Sequence, residues 1–187
     1  MSAIYLDHNA TTPLDPDVRA EIERCQANIF GNPSNLHSAG AQARRVVENA
    51  RAQVARLIGA EPAEIVFTGT GTEANNLAIF GALPAETHVS RHVVTTAVEH
   101  QAVLNPCLHL QRMEHRVTLL PVDREGILDP GAFAAALRSD TVLASILLAN
   151  NDTGVIQPIA ALAPPAREAG ILLHVDAVQA AEHERPR

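Results

Sequence analysis

Apolar residues fall along this chain in two alternating patterns, helical spacing and short continuous runs. In a long segment that ends at Gly59, the residues Val46, Val47, Ala50, Val54, Leu57 and Ile58 fall at helical spacing, and Gly59 sits where a C-terminal glycine belongs. An earlier helix opens at Asp15-Pro16, a capping carboxylate followed by a proline at the first helical position, and is expected to reach about Asn28. Gly31 to Asn35 is a loop by its turn chemistry. From Ile65 onward, short apolar runs alternate with helix-period segments. Ile65-Val66-Phe67 reads as a short buried strand, followed by helix 73–80, strand 92–95, helix 99–112, strand 117–121, helix 130–137, strand 141–148, helix 159–169 and strand 171–175. This alternation predicts an α/β fold with a mostly parallel sheet and flanking helices. No internal repeat or linker divides the chain. Glu182 to Arg187 is polar and breaks the pattern where another crossover is expected, so the chain reads as cut short.

Composition narrows the functional classes. The 187 residues are 47% hydrophobic and 19% charged, which argues for a soluble globular domain and against disorder. A net charge of −7 with 3% aromatic residues argues against a nucleic-acid partner, which needs a basic face. No apolar run approaches the roughly 18 residues of a membrane span, and the first residues lack the basic and apolar regions of a secretory signal. The two cysteines, Cys25 and Cys107, lie far apart without a CxxC partner, so no disulfide framework or zinc ribbon is expected. Both fall in expected helices and read as structural thiols, and a cytoplasmic location is expected. Among the nine histidines, neither the pair His88 and His92 nor the pair His109 and His115 has accompanying ligands at metal spacing. The 14 basic residues counted as lysine plus arginine are all arginines. Chemistry that requires a lysine amine therefore cannot be performed by this chain alone.

Four segments at carboxyl ends of expected strands can carry chemistry. Thr68-Gly69-Thr70-Gly71-Thr72-Glu73 opens a helix after a strand, where free N–H groups and close backbone approach suit an anion such as phosphate. The same residues can equally form an ordinary capped turn. Glu99-His100 opens a later helix, and His100 either stacks on a ring and moves protons or simply caps. Asn150 and Asn151 either orient a ligand or close a turn. Asp176 ends an apolar strand, where a carboxylate is costly unless solvated or paired; it either holds a protonated ring nitrogen or caps a helix. Ligands of open α/β sheets bind outside the carboxyl ends of strands. Together these segments describe one crevice with the parts of a pyridoxal phosphate site, lacking only the lysine.

The motifs are also recognisable as a set: YLDHNATTP at 5–13, NPSNLH at 32–37, FTGTGTEANN at 67–76, Glu99-His100, ANNDTGVIQ at 149–157 and HVDAVQ at 174–179. In this order they resemble the N-terminal half of the cysteine desulfurases, pyridoxal-phosphate-dependent enzymes of the class-V aminotransferase group. The resemblance implies an incomplete fold-type-I large domain over 15–187, preceded by an arm at 1–14 that belongs to the family's small domain. It implies that Gly71 and Thr72 bind the cofactor phosphate, that His100 stacks on the ring and assists proton transfer, and that Asn151 lies near the 3-oxygen and substrate carboxylate. It further implies that Asp176 pairs with the pyridinium nitrogen and Gln179 with the 3-oxygen. Asn32 and His37 fall in a loop near the cleft, without an assigned step. The family takes sulfur from L-cysteine, leaving L-alanine and an enzyme persulfide, and passes it to acceptor or scaffold proteins for iron–sulfur clusters or tRNA thiolation. Its usual state is a homodimer.

The chain departs from the family pattern after Gln179, where Gly-Lys and a later Ser-x-His-Lys motif are expected. It lacks the cofactor lysine, and neither cysteine matches the family nucleophile. It is therefore expected to be inactive alone, to bind the cofactor only weakly, and to expose a sheet edge that favours aggregation. The alternatives are half of a split enzyme, another class-V enzyme such as a selenocysteine lyase, or a non-catalytic binding or dimerisation fragment.

Overall fold

The computed structural model describes residues 4–83 and 89–180. The polar segment 182–187 and His88 lie outside the described residues. The chain divides into two compact units, which among the described residues span 4–67 and 68–180.

The first unit is helical. α1 (Pro16–Asn28) starts at Asp15, whose carboxylate accepts from the N–H groups of Asp17 and Val18. Cys25 is half-buried on this helix rather than enclosed, with its thiol 3.6 Å from a Glu21 carboxylate oxygen. α2 (Ser38–Ile58) is capped by His37 and stops at Gly59, whose φ of 71° lies in the left-handed region open to glycine. Ile65-Val66-Phe67 corrects the sequence reading. No strand forms there among the described residues, and Val66 and Phe67 are exposed. A strand exists only through a ladder partner, and here the Ile65 carbonyl is taken by the Arg51 guanidinium at 2.5 Å, which also lies over the Phe67 ring.

The second unit is a three-layer α/β structure. Its elements are α3 (Gly71–Gly81), β1 (His92–Thr96), α4 (Gln101–Arg112), β2 (Arg116–Leu120), α5 (Pro130–Ala136), β3 (Thr141–Leu147), α6 (Ile159–Glu168) and β4 (Leu172–Asp176). The strands form one parallel sheet in the order β2-β1-β3-β4. Parallel strands are connected by crossovers that cover both faces, and successive side chains serve opposite layers. Val94, Ala144 and Ile146 thus pack with Phe133, Leu162 and Ala166 of α5 and α6. Val93 and Leu143 pack with Ile79, Val103, Cys107 and Leu110 of α3 and α4. Cys107 is buried in that layer, and burial pushes its thiol up to about 12.

Two histidines sit inside the sheet as hydrogen-bonded bridges. His92 contacts the Thr141 hydroxyl at 2.7 Å and the Thr118 hydroxyl at 2.8 Å, while His174 contacts Ser145 at 2.8 Å. Among the described residues, no helix is long and apolar enough to cross a membrane.

Candidate functional site

All the strands point the same way, so their carboxyl ends gather the turns at 97–100, 148–154 and 177–180. α3 begins beside the last of these. Its N-cap, Thr70, accepts from the Glu73 N–H at 3.1 Å, and Glu73 reaches back to the Gly69 N–H at 2.7 Å. Gly71 and Thr72 take the first two helical positions, whose N–H groups have no acceptor within a helix. A Cβ on Gly71 would lie 2.9 Å from a Val178 methyl, so only glycine lets the helix start approach the turn after β4 this closely.

Asp176 is 9% exposed at the end of β4. Its Oδ2 accepts from the Asn75 amide of α3 at 2.8 Å, and its Oδ1 from the Val178 N–H at 3.1 Å. Both contacts donate to the carboxylate, which answers the cost of burying it. They also tie the α3 start to the β4 end, across 101 residues of sequence.

His100 is the N-cap of α4 and is exposed. Its Nδ1 accepts the Ala102 N–H at 3.1 Å, so the neutral ring carries its proton on Nε2. The expected helix start at Glu99 is thereby moved to Gln101, and Glu99 falls in the buried turn before it. His100 and Thr72 line one cleft of about 480 Å³ between α3 and α4, together with Asn76, Phe80, Asn105 and His109.

Asn151 and Gln179 are half-buried in the turns after β3 and β4, and neither lines that cleft. The Asn151 amide donates to Asp152 at 2.8 Å. Its neighbour Asn150 closes the turn: Oδ1 accepts from the Asp152 and Thr153 N–H groups, both at 2.9 Å, while Nδ2 donates to the Val98 carbonyl at 3.0 Å. Gln157 is buried and satisfied by Leu128 N–H and the Gly126 carbonyl. Asn32 and His37 belong to the first unit. There Asn32 accepts from Ser34 N–H at 2.9 Å and His37 caps α2.

Glu99 is the residue that sequence reading passed over. It is 5% exposed, with Oε1 accepting from the Thr96 hydroxyl at 2.7 Å and the Leu147 N–H at 3.0 Å, and Oε2 buried without a hydrogen-bond partner. Burial, with the Asp176 charge adding to it, pushes its carboxyl up to about 7 against the two hydrogen bonds. The adjacency of an acid to His100 was visible in sequence, but the burial was not.

The donor set suits a phosphorylated pyridine. A helix start offers free N–H groups and a hydroxyl for an anion, a buried carboxylate braced by two donors suits a protonated ring nitrogen, and an imidazole stands at the rim. Among the described residues, no group of three or more histidine, cysteine or acidic side chains is arranged to hold a metal.

Comparison with known proteins identifies the family. The family model described as aminotransferase class-V matches residues 4–186. Cysteine desulfurase 2 of Trichormus variabilis is 48% identical over 180 residues, covering 96% of this chain and 45% of that protein. Cysteine desulfurase IscS of Dictyoglomus turgidum is 46% identical over 180 residues, with 96% and 46% covered. Among solved structures, SspA in complex with cysteine matches with a TM-score of 0.91 at 35% identity, covering 94% of this chain and 51% of that one. DndA from Streptomyces lividans matches with a TM-score of 0.82 at 41% identity, covering 95% and 50%. The chain thus spans about half the length of the relatives it matches.

Proposed function

Since this chain belongs to the class-V aminotransferase family, whose cysteine desulfurases are pyridoxal-phosphate-dependent, we propose that it forms the cofactor-cradling half of a cysteine desulfurase acting on L-cysteine. The observation that carries the reading is the Asn75–Asp176 hydrogen bond of 2.8 Å, which joins an anion-binding helix start to a buried carboxylate at one end of the sheet. In this reading the amides of Gly71 and Thr72 and the Thr72 hydroxyl hold the phosphate, and Asp176 holds the ring nitrogen in its protonated form. Gln179 and Asn151 serve the 3-oxygen side, and Asn151 also serves the substrate carboxylate. When bound, the cofactor supplies an electron sink for the amino acid. His100 presents Nε2–H at the rim, its other nitrogen being held by Ala102 N–H, and acts there as the proton-handling group.

The lysine-free composition favours one addition: the amine that anchors the cofactor comes from outside these 187 residues. A homodimer and a sulfur-acceptor protein belong to the same reading. The experiment is a fluorescence titration of the chain with pyridoxal phosphate. Weak, reversible binding that Asp176→Ala and Thr72→Ala each reduce supports the reading. Binding that is indifferent to both substitutions overturns it.

A further inference from the structure

Glu99 carries no role in the reading above, yet its contacts occupy a particular place. β1 ends at Thr96, and the chain then turns toward β2, with the Ala97 N–H donating to the Leu120 carbonyl at 2.9 Å. β3 runs on to Leu147, past Ser145, the last of its residues paired with β1. In a parallel ladder successive N–H groups alternate between neighbouring strands. The Leu148 N–H goes to β4, donating to the Asp176 carbonyl at 2.8 Å, so the Leu147 N–H faces the side β1 has left. Glu99 Oε1 takes it at 3.0 Å. One step of β3 therefore separates the Glu99 bond from the bond that sets Asp176. A second tie runs the other way, from the Asn150 amide to the Val98 carbonyl at 3.0 Å. Glu99 and Asn150 latch the turn that presents His100 onto the strand end that sets Asp176.

We propose that Glu99 is a positioning residue that works in its protonated form, latching the His100 turn to β3 and so holding His100 and Asp176 in place for the cofactor. The inference rests on the cofactor reading above. Both donors reach Oε1, and Oε2 has none. An ionised Glu99 would leave unpaired charge on a buried oxygen, which costs far more than a neutral carboxyl. The titratable groups acting on it from packed elements are the Asp176 carboxylate of β4 and the Cys107 thiol of α4, and neither supplies a cation. Ionisation strengthens the two bonds at Oε1 but buries an unpaired charge at Oε2, and that cost opens the latch as the pH rises through neutrality.

The test compares the unaltered chain with Glu99→Gln and Glu99→Ala between about pH 5 and 9. The Leu147 amide is followed by NMR without ligand, and affinity for added pyridoxal phosphate is measured by fluorescence. In the unaltered chain, the Leu147 signal should titrate near neutrality, and in Glu99→Gln it should stay flat. Relative to Glu99→Gln, which cancels the cofactor's own titration, affinity should fall with rising pH by at most about tenfold per unit for one linked proton. Glu99→Ala should lose protection of the Leu147 amide from exchange and bind weakly at every pH. A Glu99→Gln profile parallel to the unaltered chain overturns the proposal, as does a folded Glu99→Ala with undiminished affinity. If Glu99→Ala does not fold, the Glu99→Gln comparison decides alone. If no variant binds pyridoxal phosphate, the cofactor reading falls, and the Leu147 titration alone decides whether the latch exists.

Discussion

Among the described residues, His92, His174 and Glu99 each carry a burial-driven shift that makes stability depend on pH. Burial holds His92 and His174 below the ordinary histidine range, with Arg138 adding to the effect at His92 and Asp176 opposing it at His174. A histidine depressed in the folded state contributes stability above its unfolded value of 6.5 and loses it as the pH falls below that. Glu99 works in the opposite direction. Its carboxyl is raised from 4.5 to about 7, so its contribution is full below 4.5 and disappears as the pH rises through about 7. Glu99→Gln removes this second dependence. Measured by urea denaturation, the variant should gain on the unaltered chain between about pH 5 and 8, by on the order of 3 kcal/mol. Equal slopes of stability against pH would contradict the assignment. At the same scale, Asn75→Ala leaves Asp176 Oδ2 without its donor. It should destabilise the chain by roughly 1–3 kcal/mol and weaken pyridoxal phosphate binding, both measurable on one preparation.

Among the elements, the start of α3 concentrates the local requirements. Thr70 caps it, and Thr70→Ala should cost about 1 kcal/mol in thermal or urea unfolding. Gly71→Ala brings a methyl within 2.9 Å of Val178, so it should destabilise by about 1 kcal/mol. Val178→Ala in the same chain should restore most of the loss, because it removes the obstructing methyl. A double variant no better than Gly71→Ala would show that the helix start meets some other obstacle. Element types were legible wherever a segment's periodicity matched burial that the fold provides. That holds for β1 and β3, whose apolar positions face a core, and for α1 and α2, whose ends are set locally by Asp15 and Gly59, although Val54, Leu57 and Ile58 of α2 are exposed. It failed at Ile65-Val66-Phe67, because β-rich composition records a preference for pairing and the partner is a matter of tertiary structure.

At the scale of the whole molecule, the sheet of the second unit ends, among the described residues, in β4, where Leu172 is 60% exposed. A groove of about 450 Å³ runs there between α3 and the sheet, lined by Leu77, Ala78, Gly81, Leu143, Leu172 and His174. An open, apolar parallel edge favours association. Sedimentation of the chain should show concentration-dependent self-association that Leu172→Glu reduces, and a monodisperse monomer at high concentration would refute this. The absence of lysine makes a sharper expectation. Incubated with pyridoxal phosphate and then borohydride, the chain should retain no pyridoxyl group on a side chain, and with L-cysteine it should release no alanine.

By itself the sequence determined what depends on local order and on residue chemistry. The helical period of 3.6 and the short continuous apolar runs follow from which side chains must avoid water, the cap at Asp15 from local donors and acceptors, and the missing amine from composition. The motifs also named Thr72, His100 and Asp176, because each stands at a strand end or helix start that is readable along the chain. Only the tertiary structure decided that Asn75 meets Asp176, that a methyl of Val178 requires glycine at position 71, and that Glu99 is buried with one oxygen engaged and the other alone. Those relations join residues far apart in sequence. Their energies depend on burial and on the direction of N–H groups in the sheet, which no single segment encodes.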